Sequence, residues 1–241
     1  MTETCYLRMY NLNRKPCLSE PLSMNFKRIY EYRFQNADES KKQIVWKEIS
    51  KWLFSGQLNK PGVVLDPAGG MCEFINNVPS KERWAIDIEK EFISKYAHAD
   101  VRVLIGNNLE VELPENYFDA VFISNFLEHL LSQEEVATLL GRMYKALKKG
   151  GRIVVMGPNF KYCYKEYFDF ADHTVILSEM GVAEHLYGAG FSIKQIIPRF
   201  LPLSFRSGGW LPVSSFTVGT YLKIPLAWKF LGKQFLLVAE K

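Results

Sequence analysis

Two acids stand 21 positions apart, each closing an apolar run: Asp66 follows Val63-Val64-Leu65, and Asp87 follows Trp84-Ala85-Ile86. Just after the first acid comes a turn of small residues, Pro67-Ala68-Gly69-Gly70. Small side chains let a backbone approach a ligand closely, and the helix start beyond the turn offers free N–H groups to it. A carboxylate at the tip of the second strand of a nucleoside-binding sheet accepts both ribose hydroxyls as donors, and Asp87 is read in that role. An Asp capping a helix that starts near Glu89 would occupy the same place. The turn lacks the third glycine of the dinucleotide G-x-G-x-x-G pattern, since Gly69-Gly70 is followed by Met71-Cys72-Glu73.

Imidazoles are the next groups able to do chemistry near neutral pH. Of four histidines, His98 falls on an outer helix and His185 within a surface helix, and both are set aside. His129 follows the fourth apolar run, at the edge where ligands of such a sheet bind. His173 follows Asp172 in the segment after the fifth run, where Tyr164 and Tyr167 offer rings to an acceptor. His129 and His173 are the candidate catalytic residues, as base or acceptor contact. No H-x-x-x-H or clustered Cys/His pattern appears, so no metal is expected.

The elements that must position these groups read as a doubly wound α/β sheet. Ser40-x-x-Gln43 resembles a capping box, and Ile44, Val45, Ile49, Trp52 and Leu53 share the face of the helix it opens. Strands are expected over Val63-Val64-Leu65, which ends in Asp66, and over 83–87, 101–105 and 120–123. Ser132-x-x-Glu135 opens a helix with Val136, Leu139, Leu140, Met143 and Leu147 on one face. Lys148, Lys149 and Gly150-Gly151 are expected to close it, before a fifth strand over 152–156. Ser178 is the expected N-cap of a later helix.

Composition bounds the function. The chain has 241 residues, 48% hydrophobic and 23% charged, which suits one globular domain with additions. A net charge of +4 is too small to argue for nucleic acid. Cys5, Cys17, Cys72 and Cys163 form no disulfide framework, the start lacks the apolar core of a signal peptide, and no apolar run is long enough to span a bilayer. A cytoplasmic protein with reduced thiols is expected. Residues 1–37 are read as an N-terminal arm and cap segment, in which Arg33 is a candidate lid cation for a ligand carboxylate or phosphate. Residues 38–241 are read as the main domain.

The segments DPAGG, WAID, LPENYFDAVFISNFLEHL, LKKGGRIVVMGPN and AGF, in that order, resemble the type 11/12 group of class I S-adenosylmethionine-dependent methyltransferases. The likeness runs over roughly residues 60–197. DPAGGMCEFINNV and YKEYFDFADH are also similar to methyltransferases encoded among bacterial surface-polysaccharide genes. The resemblance implies a Rossmann-like, seven-stranded, mostly parallel sheet with helices on both faces and an antiparallel last strand. Phe191–Ile197 would be the sixth strand and Gln234–Glu240 the seventh. It implies that Asp66, Ala68, Gly69 and Gly70 meet the methionine part of S-adenosylmethionine. Asp87 and Ile88 would meet its nucleoside, Asn107 or Asn108 its adenine, and Ser124-Asn125 its inner face. Ala68 and Cys72 stand where the family loop has its outer glycines. The N-P-P-Y of nucleic-acid amine methylation is absent, since Ser124-Asn125-Phe126-Leu127 occupies that place.

The implied reaction is methyl transfer to a small molecule or to a glycan or nucleotide-sugar intermediate, at oxygen. Two rivals remain: a non-catalytic binding or scaffold protein of this fold, and a nicotinamide-dependent oxidoreductase. Residues 198–231, aromatic, basic and broken by prolines, are an insertion before the last strand. They hold four prolines in all, Pro198, Pro202, Pro212 and Pro225, and are read as a lid, a homodimer contact or a peripheral membrane surface.

Overall fold

The computed structural model describes residues 28, 29 and 32, 38–203 and 213–241. Arg33 and the greater part of the N-terminal segment lie outside the described residues. The unit from Asp38 to Lys241 is built on seven strands: β1 Val63–Asp66, β2 Glu82–Asp87, β3 Val101–Ile105, β4 Phe118–Ser124, β5 Leu147–Pro158, β6 Ser192–Ile197 and β7 Gln234–Glu240. Their order across the sheet is β3-β2-β1-β4-β5-β7-β6. Neighbours from β3 to β5 pair in parallel, while β7 runs antiparallel to both β5 and β6. The expected mostly parallel sheet with an antiparallel last strand is the one found.

The strands read as continuous apolar runs because both faces are covered. Successive side chains point to opposite faces. Leu65, Val121, Ile123, Ile153, Val155, Phe235 and Leu237 enter one core, with Val136, Leu139, Leu140 and Met143 of α4 (Gln133–Ala146) and Val182 and Leu186 of α6 (Glu179–Gly188). Val64, Ala120, Phe122, Val154, Met156, Leu236 and Val238 enter the other. That second face is covered by α1 (Glu39–Trp52), α2 (Glu73–Asn77) and α3 (Lys90–Tyr96), and by the insertion helices α7 (Ser215–Lys223) and α8 (Pro225–Leu231).

Local chemistry fixes the ends of these elements, in places differently from expectation. The cap of α1 is Asp38, whose Oδ1 accepts from Lys41 N at 3.1 Å; Ser40 donates its hydroxyl to that same carboxylate instead of capping. An ionised acceptor before the first helical residue outcompetes a hydroxyl inside the turn. Trp46 joins the buried face of α1 as well. At α4, Ser132 caps as expected, but Glu135 reaches back to Leu131 N–H rather than to Ser132. The helix stops at Ala146, so Lys148, Lys149 and Gly150 lie in extended backbone of β5 instead of the helix end. Lys148 is drawn there by Asp119, at 2.7 Å. The second oxygen of Asp119 accepts from Gly62 N and Val63 N, at 3.0 and 2.8 Å. One carboxylate thereby ties the starts of β1, β4 and β5 together. Ser178 caps α6 as expected, its Oγ accepting from Gly181 N.

The insertion is helical from Ser215 to Lys223 and from Pro225 to Leu231. Trp52 of α1 stacks on Phe200 at 5.0 Å and meets Trp228 edge-on at 5.8 Å. Arg199 donates to the carbonyls of Gly232 and Phe230, holding the end of α8. Phe216, Leu226 and Phe230 remain exposed.

Candidate functional site

The carboxyl edge of β1, β2 and β3 is a closely tied corner. Asp66 is buried, and its Oδ1 accepts from Ala68 N at 3.1 Å. The turn then bends back onto β2, where Gly69 N donates to the Ile86 carbonyl at 2.9 Å and Gly70 N to Asp87 Oδ2 at 3.0 Å. The other oxygen of Asp87 accepts from Glu89 N at 2.9 Å. A Cβ on Gly69 would lie 3.1 Å from both Ala85 Cβ and Ile93 Cδ1, so the close packing of the turn depends on glycine there. Gly70 and Cys72 both have positive φ, at 50° and 58°. Cys72 accepts this left-handed backbone with its side chain fully buried, at the start of α2.

Electrostatics follow from burial. Loss of solvent raises Asp66 to about 7 against the Ala68 N–H that favours its charge, with Glu73 and Asp87 adding repulsion. Asp87 is raised for the same first reason, opposed by the Glu89 and Gly70 N–H groups. Burial pushes the Cys72 thiol up to about 12, so it is a neutral packing group and no nucleophile. The corner therefore holds two carboxylates short of a counter-charge, a setting that favours a cationic or hydroxyl-donating ligand.

Around this corner lie the other residues singled out from the sequence. Ile88, beside Asp87, is 68% exposed, a bare apolar side chain on a polar edge. Asn108 donates its amide to the Pro67 carbonyl at 3.1 Å, linking the tip of β3 to the turn after β1. The Asn107 side chain closes its own turn, accepting from Leu109 N at 3.0 Å. Asn125, with φ 49°, donates its amide to Ser124 Oγ at 3.0 Å, at the tip of β4.

A second cluster forms where the segments after β4 and β5 meet. His129 lies in a short 3-10 turn, Leu127–His129, and its Nδ1 is 3.1 Å from the Asp172 carbonyl oxygen and 3.2 Å from Asp172 Oδ2. Its Nε2 faces Glu128 Oε1 at 4.0 Å. His173 is buried and meets His129 edge-on at 4.8 Å. Burial lowers the His129 pKa, but the Asp172 hydrogen bond and the Glu128 and Asp172 charges outweigh it, and the net shift is upward. Asp172, the immediate neighbour of His173 in sequence, thus serves the other imidazole.

Two expectations need correction. Tyr167 is fully buried, packed edge-on by Phe160, Phe168 and His173, with its hydroxyl donating to the Val175 carbonyl at 2.5 Å. No face is left for a substrate ring. Tyr164 is 58% exposed and keeps that capacity, as does Phe168. His98 lies just past α3 rather than on it, and His185 bonds Gln133 at 2.7 Å on the surface. Glu128 and Asp172 were not singled out as site residues. Their signal was two acid–His dipeptides, Glu128-His129 and Asp172-His173, each following the carboxyl end of a strand.

With this geometry established, residues 65–155 match the methyltransferase domain family. The chain is 24% identical over 165 residues to a demethylmenaquinone methyltransferase of Geobacillus sp. (strain WCH70), covering 60% of this chain and 68% of that protein. Among solved structures, it is similar to a SAM dependent methyltransferase from Archaeoglobus fulgidus, with 20% identity, a TM-score of 0.61, and coverage of 90% of this chain and all of that one. It also resembles an S-adenosylmethionine dependent methyltransferase from Mesorhizobium loti, with 13% identity, a TM-score of 0.53, and coverage of 77% and 93%. The matched family is one of methyltransferase domains, and the solved structures that share this chain's fold include S-adenosylmethionine-dependent methyltransferases. The matched domain runs from the last apolar residue before Asp66 into the middle of β5, and so includes the Asp66–Asp87 corner and His129.

Proposed function

We propose that the chain transfers the methyl group of S-adenosylmethionine to a hydroxyl oxygen of a glycan or nucleotide-sugar intermediate in the cytoplasm. One observation carries the cofactor half of this reading: two buried or half-buried carboxylates at adjacent strand tips, both bonded to the same small-residue turn. In this reading Asp66 faces the cofactor's ammonium and Asp87 its ribose. The backbone of Ala68, Gly69 and Gly70 follows the methionine chain. Ile88, Asn107 and Asn108 meet the adenine, and Ser124 and Asn125 the inner face.

The acceptor half rests on the segment after β5. Exposed Tyr164 and Phe168 offer flat apolar faces of the kind that stack on sugars, and His129 and His173 stand close by in the same segment and the facing turn. Methyl transfer is an in-line displacement: a lone pair of the acceptor oxygen forms the new C–O bond, and the sulfonium sulfur takes the pair from the breaking C–S bond. The hydroxyl proton must also leave, and His129 and His173 are the groups proposed to handle it. Alignment of oxygen, methyl and sulfur supplies on the order of several kcal/mol of the barrier reduction. Arg33, outside the described residues, is proposed as an acceptor contact. Free, buried Cys72 and Cys163 are in keeping with a reducing compartment.

Thermal unfolding with S-adenosylmethionine, S-adenosylhomocysteine and NAD tests the cofactor half. Ligand at 100 times its dissociation constant stabilises by about 2.7 kcal/mol, a shift of roughly 5–10 °C for this size. Shifts with the first two and none with NAD are expected. Asp87→Ala should weaken S-adenosylmethionine roughly 10–100-fold, the loss of hydrogen bonds to a charged group. Unchanged affinity would remove Asp87 from the ribose role. A methyl-transfer screen over nucleotide sugars and glycan intermediates tests the acceptor half.

A further inference from the structure

We propose that Glu128, His129 and His173 bind a divalent transition-metal ion of the zinc class. Each offers one ligand atom, and the three atoms lie within 4.8 Å of one another. Cation–ligand distances of about 2.0–2.2 Å for imidazole and carboxylate require these atoms to close by roughly 1 Å when the ion binds. Two imidazoles and one carboxylate are a set suited to Zn²⁺, Mn²⁺, Co²⁺ or Fe²⁺, and not to Mg²⁺, which takes oxygen ligands.

The surroundings orient all three groups. His129 turns Nδ1 toward Asp172, whose carbonyl and carboxylate oxygens lie 3.1 and 3.2 Å away. With the proton on Nδ1, Nε2 carries the lone pair and faces Glu128. A second group that fixes the tautomer of a ligating histidine is the recurrent support of imidazole–metal sites. The His173 ring is stacked on Phe170 at 4.6 Å and bounded edge-on by Tyr167 at 4.9 Å. Glu128 is pinned through its backbone, its carbonyl accepting from Thr174 N and Val175 N. Glu128 is 1% and His173 8% exposed, while the side chain of His129 is 16% exposed. A cation here would thus have three protein ligands and one side open to water or an acceptor oxygen, the pattern of a catalytic rather than a closed structural site.

Use of this ion in methyl transfer rests on the function proposed above. A hydroxyl bound at the open position becomes more acidic, as metal-bound water does. Its proton then leaves to solvent through that open side, the imidazoles act as ligands rather than bases, and the freed lone pair attacks the methyl group.

The test uses the full chain, stripped with a chelator and titrated with Zn²⁺, Co²⁺ and Mg²⁺. One Zn²⁺ or Co²⁺ per chain is expected, with no saturable Mg²⁺ site. The visible spectrum of the Co²⁺ form should show a four- or five-coordinate site. Glu128→Gln and His173→Gln should abolish stoichiometric binding, and Asp172→Asn should weaken it about 10–100-fold. Should the variants fail to fold, proton NMR of the wild-type Co²⁺ protein decides: two strongly shifted imidazole N–H signals are expected, and none overturns the site. Absence of stoichiometric binding, or equal binding by the folded variants, also overturns it. S-adenosylmethionine affinity measured on the same stripped protein keeps the two ideas apart. Cofactor binding without metal binding overturns the metal site alone, and metal binding without cofactor binding overturns the functional reading alone.

Discussion

Asp66 is a carboxyl group that the fold holds against its own charge. Its folded value of about 7 is raised above the ordinary 3.8. Its contribution to stability is therefore fully present below about pH 4 and is lost as pH rises through 7. Asp66→Asn keeps an acceptor for Ala68 N–H and removes the buried charge. The variant should unfold at a higher temperature than wild type at pH 8 and show no advantage at pH 4. A melting series from pH 4 to 8 on both proteins checks this, and the difference between them isolates Asp66 from Asp87, which has the same sign. If Asp66 meets the cofactor's ammonium, wild-type affinity should rise between pH 5 and 7, while Asp66→Asn shows a flat, weaker profile by calorimetry. Cys72 poses a second question at this scale. Its left-handed backbone costs about 1–2 kcal/mol, and its buried thiol contributes about as much through packing. Cys72→Gly should be near neutral in denaturant unfolding, whereas Cys72→Ile, β-branched at positive φ, should lose about 2 kcal/mol or more.

Among the elements, Asn159 joins the most separate parts. It caps α5, Phe160–Cys163, accepting from Lys161 N, and donates its amide to buried Glu179 at 2.7 Å and to the Pro198 carbonyl at 2.8 Å. Asn159→Ala strips the buried carboxylate of one donor and leaves the Pro198 carbonyl without another. A loss of about 2–3 kcal/mol is expected from chemical denaturation, larger than for an exposed Asn. The strands themselves were legible in the sequence because runs such as Ala120–Ile123 are apolar on both faces, and because Asp66 and Asp87 mark the tips of two of them. The helix ends were less so. Ser40 and the Lys148-to-Gly151 stretch carried the usual signals of a start and a stop, yet Asp38 is the stronger cap and Asp119 draws Lys148 into the strand. Such competition is set by partners far off in sequence. The same holds for the histidine cluster: Asp172 lies 43 positions from His129, and only the fold brings them together.

For the whole molecule, the question is what the insertion face meets. Leu222 and Trp228 anchor α7 and α8 in the core, while Phe216, Leu226 and Phe230 stand 80%, 61% and 73% exposed. Single apolar residues on a surface mean little, but these three lie on two successive short helices that also carry Lys223 and Lys229. The double change Leu226→Ser and Phe230→Ser should leave the melting temperature within about 2 °C of wild type, since neither side chain is buried. It should shift a self-associating protein to monomer in analytical ultracentrifugation. A monomer both before and after, with loss of co-sedimentation on anionic vesicles, would assign these side chains to lipid instead. Among the described residues, no helix is long and apolar enough to cross a membrane.

The position of β7 bears on how the protein comes into being. Residues 234–240 occupy an interior place in the sheet, between β5 and β6. On a ribosome, β5 and β6 emerge with no partner for the edges they will later share. The β3-to-β5 half, with its Asp66–Asp87 corner complete, can settle while β6 waits. Until residue 240 clears the exit tunnel, the unpaired edges of β5 and β6 are open to pairing with other nascent chains. Solubility during synthesis should therefore depend on how fast translation runs from residue 198 to residue 240, a quantity that codon choice in the insertion would control without altering a single amino acid.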